Sequence, residues 1–337
     1  MITRVGRTLL TENSYILTSA AIVGKKEGEG PLGREFDRVY NDTTVGQNSW
    51  ERSESTLLRD TVNLCISKSG NTASDFDLVF CGDLLDQCMG SSMAVKDLNI
   101  PVLGLYGACS TMAESLLMAA VYTSGGGAEN CIAAASSHFC SAERQFRFPL
   151  GYGGQRTPTS QWTVTGAGAA AVTNKKTAVA IKAVTAGKIV DMGVTDANNM
   201  GGAMAAAACD TLVTFFKDTS LKPTDFDIIA TGDLGYVGSE MLKEMTKAEG
   251  LTLPVSYTDC GLLIFDRERQ DVHAGGSGCG CGGSVLCGYI LPRLFDGRFK
   301  RALFAATGAL LSPTSNQQGE SIPGICHAIY MENTSLA

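Results

Sequence analysis

A surplus of positive charge is missing from this chain. Its 337 residues include 27 Lys and Arg against 34 Asp and Glu, a formal charge of −7, and the basic residues are scattered. That excludes the electrostatic footprint of a nucleic-acid binder. Long apolar runs are missing too, since no stretch approaches the roughly eighteen residues that span a bilayer. The opening MITRVGRTLLTENSYILTSA has no uninterrupted apolar core and no cleavage site, so no secretory signal is expected. Low-complexity tracts are absent, and 44% hydrophobic against 18% charged residues excludes global disorder. Without an export signal the expected compartment is reducing. The twelve cysteines therefore read mostly as free thiols packed like small hydrophobes, Cys65, Cys131 and Cys287 among them.

What is present is a repeat. DFDLVFCGDL begins at Asp75 and DFDIIATGDL at Asp225, identical at six of ten positions. Each reads as a buried strand running into a loop. Three further pairs follow in the same order: 99–109 with 251–261, 107–137 with 278–308, and 14–23 with 179–188. The chain thus divides near TNKKTA (173–178) into two halves of one plan. The expected halves are residues 1–174, carrying Cys109, and 175–337, carrying a Gly/Cys-rich turn at 275–283. Alternating strands and helices in each predict α/β layers with mostly parallel strands.

In open α/β sheets, ligands sit beyond the carboxyl ends of strands, where helix N-termini point. Thr111 and Glu114 have capping-box spacing, and Ala113, Leu116, Leu117, Ala120 and Val121 form one apolar stripe, which predicts a helix beginning near Thr111. Cys109 and Ser110 then lie just ahead of free backbone N–H groups, a setting that favours thiolates and anions. By the offset of the repeat, Cys109 corresponds to Gly280 in GSGCGCGG (276–283). Glycines at that density predict a backbone approached closely by another backbone or by a ligand. Two opposed helix starts, at Cys109–Thr111 and at Ser277–Cys281, would suit a carboxylate or an oxyanion.

The strand, the ACST turn, its helix, the duplication and the glycine-rich second turn together resemble the thiolase-like superfamily. This implies an αβαβα layered fold, with Cys109 at the position of the superfamily's nucleophilic cysteine. More narrowly, EGPLGREFD (29–37), CGDLLDQ (81–87), YGACSTMAES (106–115), SSHFCSAERQFRFPLGYGGQ (136–155), TVTGAGA (163–169), GVTDANNMG (193–201), HAGGSGCGC (273–281) and ATGALLSPTSNQQGESIPGICH (306–327) resemble a family of sporulation proteins in spore-forming bacteria. That resemblance implies binding of dipicolinic acid or its calcium chelate for loading into the developing spore. It also implies membrane partners from the same operon, a cytoplasmic or forespore location against the spore inner membrane, and a homodimer. Condensing enzymes of the superfamily take a His or Asn from each of two second-half positions, and here those hold Gly232-Asp233-Leu234 and Cys279-Gly280-Cys281. A degenerate, non-catalytic site follows. The alternative is a Cys-dependent acyltransferase or condensing enzyme acting on acyl-CoA.

Dipicolinate is a planar dianion, so its site needs N–H donors, cations and an apolar cover. The candidate ligand-binding residues are Cys109, Ser110, Thr111, His138, Arg144, Arg147, Ser277, Gly278, Cys279 and His327. His138 ends the buried strand CIAAASS and His327 begins the last strand; converging on Cys109, they would supply a base. Arg156 and His273 read as ordinary surface and strand residues. Cys279, Cys281 and Cys287 lack zinc-site spacing, and no acidic loop has calcium-site spacing, so no metal centre and no cofactor are expected.

Overall fold

A computed structural model of the chain describes residues 1–146 and 156–336. Ten strands carry its principal sheet path. In the first half these are β1 (Tyr15–Gly24), β2 (Leu78–Gly82), β3 (Val102–Gly104), β4 (Asn130–Ser137) and β5 (Gly166–Thr173). In the second they are β6 (Val179–Thr185), β7 (Ile228–Thr231), β8 (Tyr257–Asp259), β9 (Arg301–Ala309) and β10 (Gly324–Asn333). Their order is β8-β7-β9-β10-β6-β1-β5-β4-β2-β3. Adding five to each first-half label gives its counterpart, so the path reads the same from either end. The repeated segments of the sequence fall on corresponding strands, and the duplication is topological as well as linear. The halves join where β6 pairs antiparallel with β1, Val179 opposite Ile16 and Ala180 opposite Tyr15.

The sheet is not mostly parallel. In each half two neighbouring pairs are parallel (β4–β2 and β2–β3; β9–β7 and β7–β8). The other two are antiparallel (β1–β5 and β5–β4; β6–β10 and β10–β9). Apolar runs mark where strands lie, but not which neighbour a strand finds or in which direction.

Helices complete five layers. The first-half helices are α1 (Trp50–Lys68), α2 (Met89–Val95), α3 (Thr111–Ser124) and α4 (Phe139–Phe146). The second half adds α5 (Met200–Thr219), α6 (Gly235–Ala248) and α7 (Cys279–Val285). Helix α1 covers the outer face of the first-half strands, and α5 with α6 covers the second; α3 and α7 lie between the two sets of strands. Because α3 packs on strands of both halves, Met112, Ala113, Leu116, Ala119 and Ala120 are all fully buried, while Leu117 and Val121 of the anticipated stripe are only half-buried. The glycines of α7 have a backbone reason. A Cβ on Gly280 would stand 2.3 Å from the Gly166 carbonyl oxygen and 2.7 Å from the Ser137 amide nitrogen. All twelve cysteines are free, and eleven are buried. None of the described helices is long and apolar enough to cross a membrane.

Candidate ligand site at Cys109

Strand β3 runs through Tyr106 into a tight turn that delivers Cys109 to the start of α3. Ala108 takes a left-handed backbone, φ +50°, uncommon for a residue with a side chain. Gly308 of β9 lets this turn sit down, since a Cβ there would meet the Gly107 carbonyl oxygen at 2.3 Å. The anticipated capping box does not form. Thr111 donates its hydroxyl to the Ala108 carbonyl at 2.7 Å and accepts from the Gly107 amide, so it closes the turn rather than capping from outside. Glu114 lies against the same turn, with burial raising its carboxyl above the usual range.

From the second half, β7 ends in Gly232-Asp233-Leu234, and a short strand, Gly276–Ser277, enters α7. Asp233 is fully buried. One carboxylate oxygen accepts from the Ser277 hydroxyl at 3.0 Å and the Gly278 amide at 2.8 Å; the other accepts from the Thr307 hydroxyl at 2.9 Å. Ser277 Oγ in turn lies 3.9 Å from Cys109 Sγ. Of the two second-half segments singled out in the sequence, Gly232-Asp233-Leu234 brings a carboxylate to Ser277 beside the cysteine, whereas Cys279 of the other donates its thiol to the Ser136 carbonyl.

The electrostatic consequence reverses the thiolate expectation. Burial first, and the Asp233 carboxylate second, push the Cys109 thiol well above its ordinary value. The helix start does not compensate, because Cys109 is 6% exposed and shares its neighbourhood with a negative charge. A protonated thiol is a poor nucleophile. Asp233 is itself held above the usual carboxylate range by burial.

Cys109 and Ser277 open on a cavity of about 120 Å³. Its apolar wall includes Leu84, Phe146, Met200 and Leu311; Tyr106, Gln161, Thr163 and Asn198 supply polar atoms, and Glu143 a carboxyl group. Gln161 is locked, donating to the carbonyls of Asp233 at 2.7 Å and Gly276 at 2.8 Å. Of the described residues anticipated from sequence, only Cys109 and Ser277 are in this lining. Ser110 and Gly278 are spent in turn and carboxylate hydrogen bonds, and Cys279 donates its thiol to the Ser136 carbonyl at 2.8 Å. The second helix start is therefore occupied by protein: Gly278 N–H bonds Asp233, and Gly280 N–H bonds Ser137 Oγ at 3.1 Å.

The histidines do not converge on the thiol. His138 points its Nε2 at the Thr43 carbonyl, 2.9 Å away, and Nδ1 accepts from Cys140 N–H. His327 accepts from Gly187 N–H at 3.1 Å, and burial lowers it to about 4, so it stays neutral. Arg144 is paired with Glu51 in a separate open cleft between α1, α2 and α4. Arg147 lies outside the described residues. Sequence reasoning passed over Asp233 and Gln161 as site residues. The repeated Gly-Asp-Leu, which places Asp83 and Asp233 at matching strand ends, was the signal for the first; nothing local marked the second.

A helix start bearing a cysteine, set between two sets of strands of one duplicated plan, defines a thiolase-like protein. Solved structures agree in fold. A 3-oxoacyl-[acyl-carrier-protein] synthase III from Aquifex aeolicus matches at TM-score 0.58 and 11% identity, covering 95% of this chain and 99% of that one. A variant of OleA from Xanthomonas campestris matches at TM-score 0.63 and 14% identity, over 98% and 100%. Within that class, the family model for stage V sporulation protein AD matches residues 6–332. The stage V sporulation protein AD of Bacillus subtilis (strain 168) is 43% identical over 323 residues, 96% of this chain and 95% of that protein. The chain belongs to the stage V sporulation protein AD family.

Proposed function

We propose that this sporulation protein holds dipicolinic acid in the Cys109 cavity, as its calcium chelate, and performs no acyl transfer. The carrying observation is the cavity itself, small and floored by a thiol kept protonated. Its volume of about 120 Å³ is comparable with the roughly 150 Å³ that accommodates benzene in an engineered core. That suits one planar ring. Charge selects the form of the ligand. Among the described residues lining the cavity none is Arg or Lys, and Asp233 stands behind Ser277. A free dianion would meet that carboxylate, whereas calcium neutralises its two charges.

Calorimetric titration with dipicolinate, with and without calcium, tests this. Saturable heat that strengthens with calcium and weakens several-fold in Cys109→Ala is expected; no heat at millimolar chelate overturns it. The acyltransferase alternative draws support from the left-handed Ala108, a backbone conformation of the kind stored at functional sites. Incubation with acetyl-CoA followed by mass spectrometry separates the two, because an acyl adduct on Cys109 is incompatible with a purely binding role.

The homodimer and the membrane setting belong to the same proposal. Strand β3 is an edge strand whose Val102 and Leu103 are each 39% exposed, with Met93 and Tyr106 exposed nearby. An exposed apolar edge of this kind pairs readily with its own copy. Light scattering should report a dimer that Leu103→Lys dissociates. Co-sedimentation with spore inner membrane fractions checks the attachment to membrane partners.

A further inference from the structure

Helix α4 is a partition between two voids. Ala142, Glu143 and Phe146 face the Cys109 cavity, while Ser141, Arg144 and Gln145 face the open cleft of about 1000 Å³ bounded by α1 and α2. The turn after β2 continues the same partition, with Leu84 in the cavity wall and Leu85, Asp86 and Gln87 in the cleft. Gln145 joins the two pieces: its Nε2 donates to the Leu84 carbonyl at 3.1 Å, and its Oε1 accepts from the Asp86 amide at 3.0 Å. The turn is strained. Gln87 and Cys88 are consecutive non-glycine residues in the left-handed region, φ +56° and +52°, a conformation that persists only where the surroundings hold it. An element with space on both sides and strain at its base moves more readily than the strands it rests on.

What holds the partition is a pair of buried carboxyl groups. Asp83 accepts from the Leu85 amide at 2.7 Å and from the Ser91 amide of α2 at 2.5 Å. Glu54 of α1 accepts from the Ser141 hydroxyl of α4 at 2.6 Å and from the Ser136 hydroxyl at 3.3 Å. The two acids meet at Gly90, where a Cβ would stand 3.2 Å from Asp83 Cγ and 3.4 Å from Glu54 Cδ, so the carboxyl groups lie within about 7 Å of each other. Both are buried, and no cation among the described residues pairs with either. Arg144 is taken by Glu51, and Arg52, Arg59 and Lys96 stand exposed along the cleft. His138 is bonded to the Thr43 carbonyl and lowered by burial. The thiols facing the pair, Cys81, Cys88 and Cys279, are raised by burial first and so bring no charge. Two full negative charges at that separation in a dry interior repel strongly, so the pair stays in place only while it keeps a proton. Burial first, and Asp83 second, hold Glu54 at about 8.

We propose that Glu54 and Asp83 form a proton-operated latch on the wall of the Cys109 cavity. While the pair shares a proton, Glu54 keeps α4 in place and Asp83 keeps the 84–88 turn and α2. When that proton passes to solvent, water enters from the cleft, which Ser141 already borders. Helix α4 and the turn then swing into the cleft and open the cavity wall at Leu84, Ala142 and Phe146. The sign follows from solvation: a carboxyl raised in the closed state and ordinary in the wetted one favours opening as pH rises through about 8. With calcium dipicolinate in the cavity, the latch speeds release of the chelate at alkaline pH; that consequence rests on the binding proposed above, and the latch itself does not.

Hydrogen–deuterium exchange of the unliganded full-length chain tests the latch, with rates corrected for their intrinsic pH dependence and read on peptides covering 84–95 and 139–146. Protection of both should lie below that of β4 and β5, the mark of a local opening, and fall about tenfold between about pH 7 and pH 9. Glu54→Gln should keep it level across that range. Ser141→Ala leaves both acids in place and cuts the tie to α4, so it should lower α4 protection already at about pH 7. Level protection in the parent protein, an equal fall in Glu54→Gln, or exchange of α4 only in step with β4 and β5 overturns the proposal. Should Glu54→Gln not fold, unchanged α4 protection in Ser141→Ala overturns it alone. Stopped-flow dissociation of calcium dipicolinate reads the consequence separately: release should quicken with pH in the parent and not in Glu54→Gln. No chelate binding beside an intact pH-dependent protection defeats the ligand and not the latch.

Discussion

At the residue scale the decisive feature is where the negative charge lies. Cys109 sits at the start of a helix, yet the buried Asp233 carboxylate stands behind Ser277 beside it. Desolvation and a neighbouring carboxylate both disfavour the thiolate, and the positive end of a helix does not outweigh them. Alkylation of Cys109 by iodoacetamide at pH 7.5 should therefore run more than about tenfold slower than for an ordinary thiol. Asp233→Asn removes one of the two opposing causes, so it should accelerate alkylation. Peptide mass spectrometry over a pH series reads both, and an unhindered rate in the parent protein would contradict this account.

At the element scale, α7 is a helix selected for thinness. Gly280, Gly282 and Gly283 fall inside it, a liability to an isolated helix at up to about 1 kcal/mol each. They are retained because α7 presses directly on β5 and β4: Gly280 faces the Gly166 carbonyl, and a Cβ on Gly168 would stand 2.1 Å from the Gly283 carbonyl oxygen. Backbone cannot rotate aside as a side chain can. Gly280→Ala should cost about 2 kcal/mol or more, measured as a shift in urea midpoint with unchanged slope. By contrast, Gly126→Ala has open space around its Cβ but a φ of +76°, so its smaller loss of stability reflects backbone strain alone.

At the scale of the whole molecule, the interior holds buried acids that no cation among the described residues pairs with directly. Glu54 of α1 is fully buried, raised to about 8 by desolvation first and by Asp83 second; Ser136 and Ser141 donate to it, and Glu51 adds a further negative charge. Asp259 is raised to about 7 for the same leading reason. A carboxyl whose folded pKa lies above its unfolded value binds its proton more tightly in the native state. Its stabilising contribution is complete below the ordinary 4.5 of Glu54 and is lost as pH rises through about 8. Stability should accordingly fall between about pH 5 and pH 8.5, at up to about 1.4 kcal/mol per pH unit for each proton retained. Glu54→Gln should flatten that slope in urea unfolding followed across the range; an unchanged slope would clear Glu54 of the effect.

Much of this was legible in the linear chain. The repeat at 75–84 and 225–234 announced a duplicated fold, because one strand-loop unit used twice keeps its Gly-Asp-Leu ending. The apolar stripe after Thr111 marked α3, and the glycine density at 275–283 marked a close backbone approach. Strand direction was not legible: burial dictates an apolar run whether its neighbour is parallel or antiparallel. Nor was the site's composition. Arg144, His138 and His327 carried suitable chemistry, yet each found a partner elsewhere, in Glu51, the Thr43 carbonyl and the Gly187 amide. Amino-acid sequence by itself determined the periodicity, the duplication and the place of the cysteine, all of which depend on local patterns. Only the tertiary structure decided that Asp233 would stand beside that cysteine in a dry interior. The state of a proton depends on distance and dielectric, and residues 109 and 233 become neighbours only when the two halves close on each other.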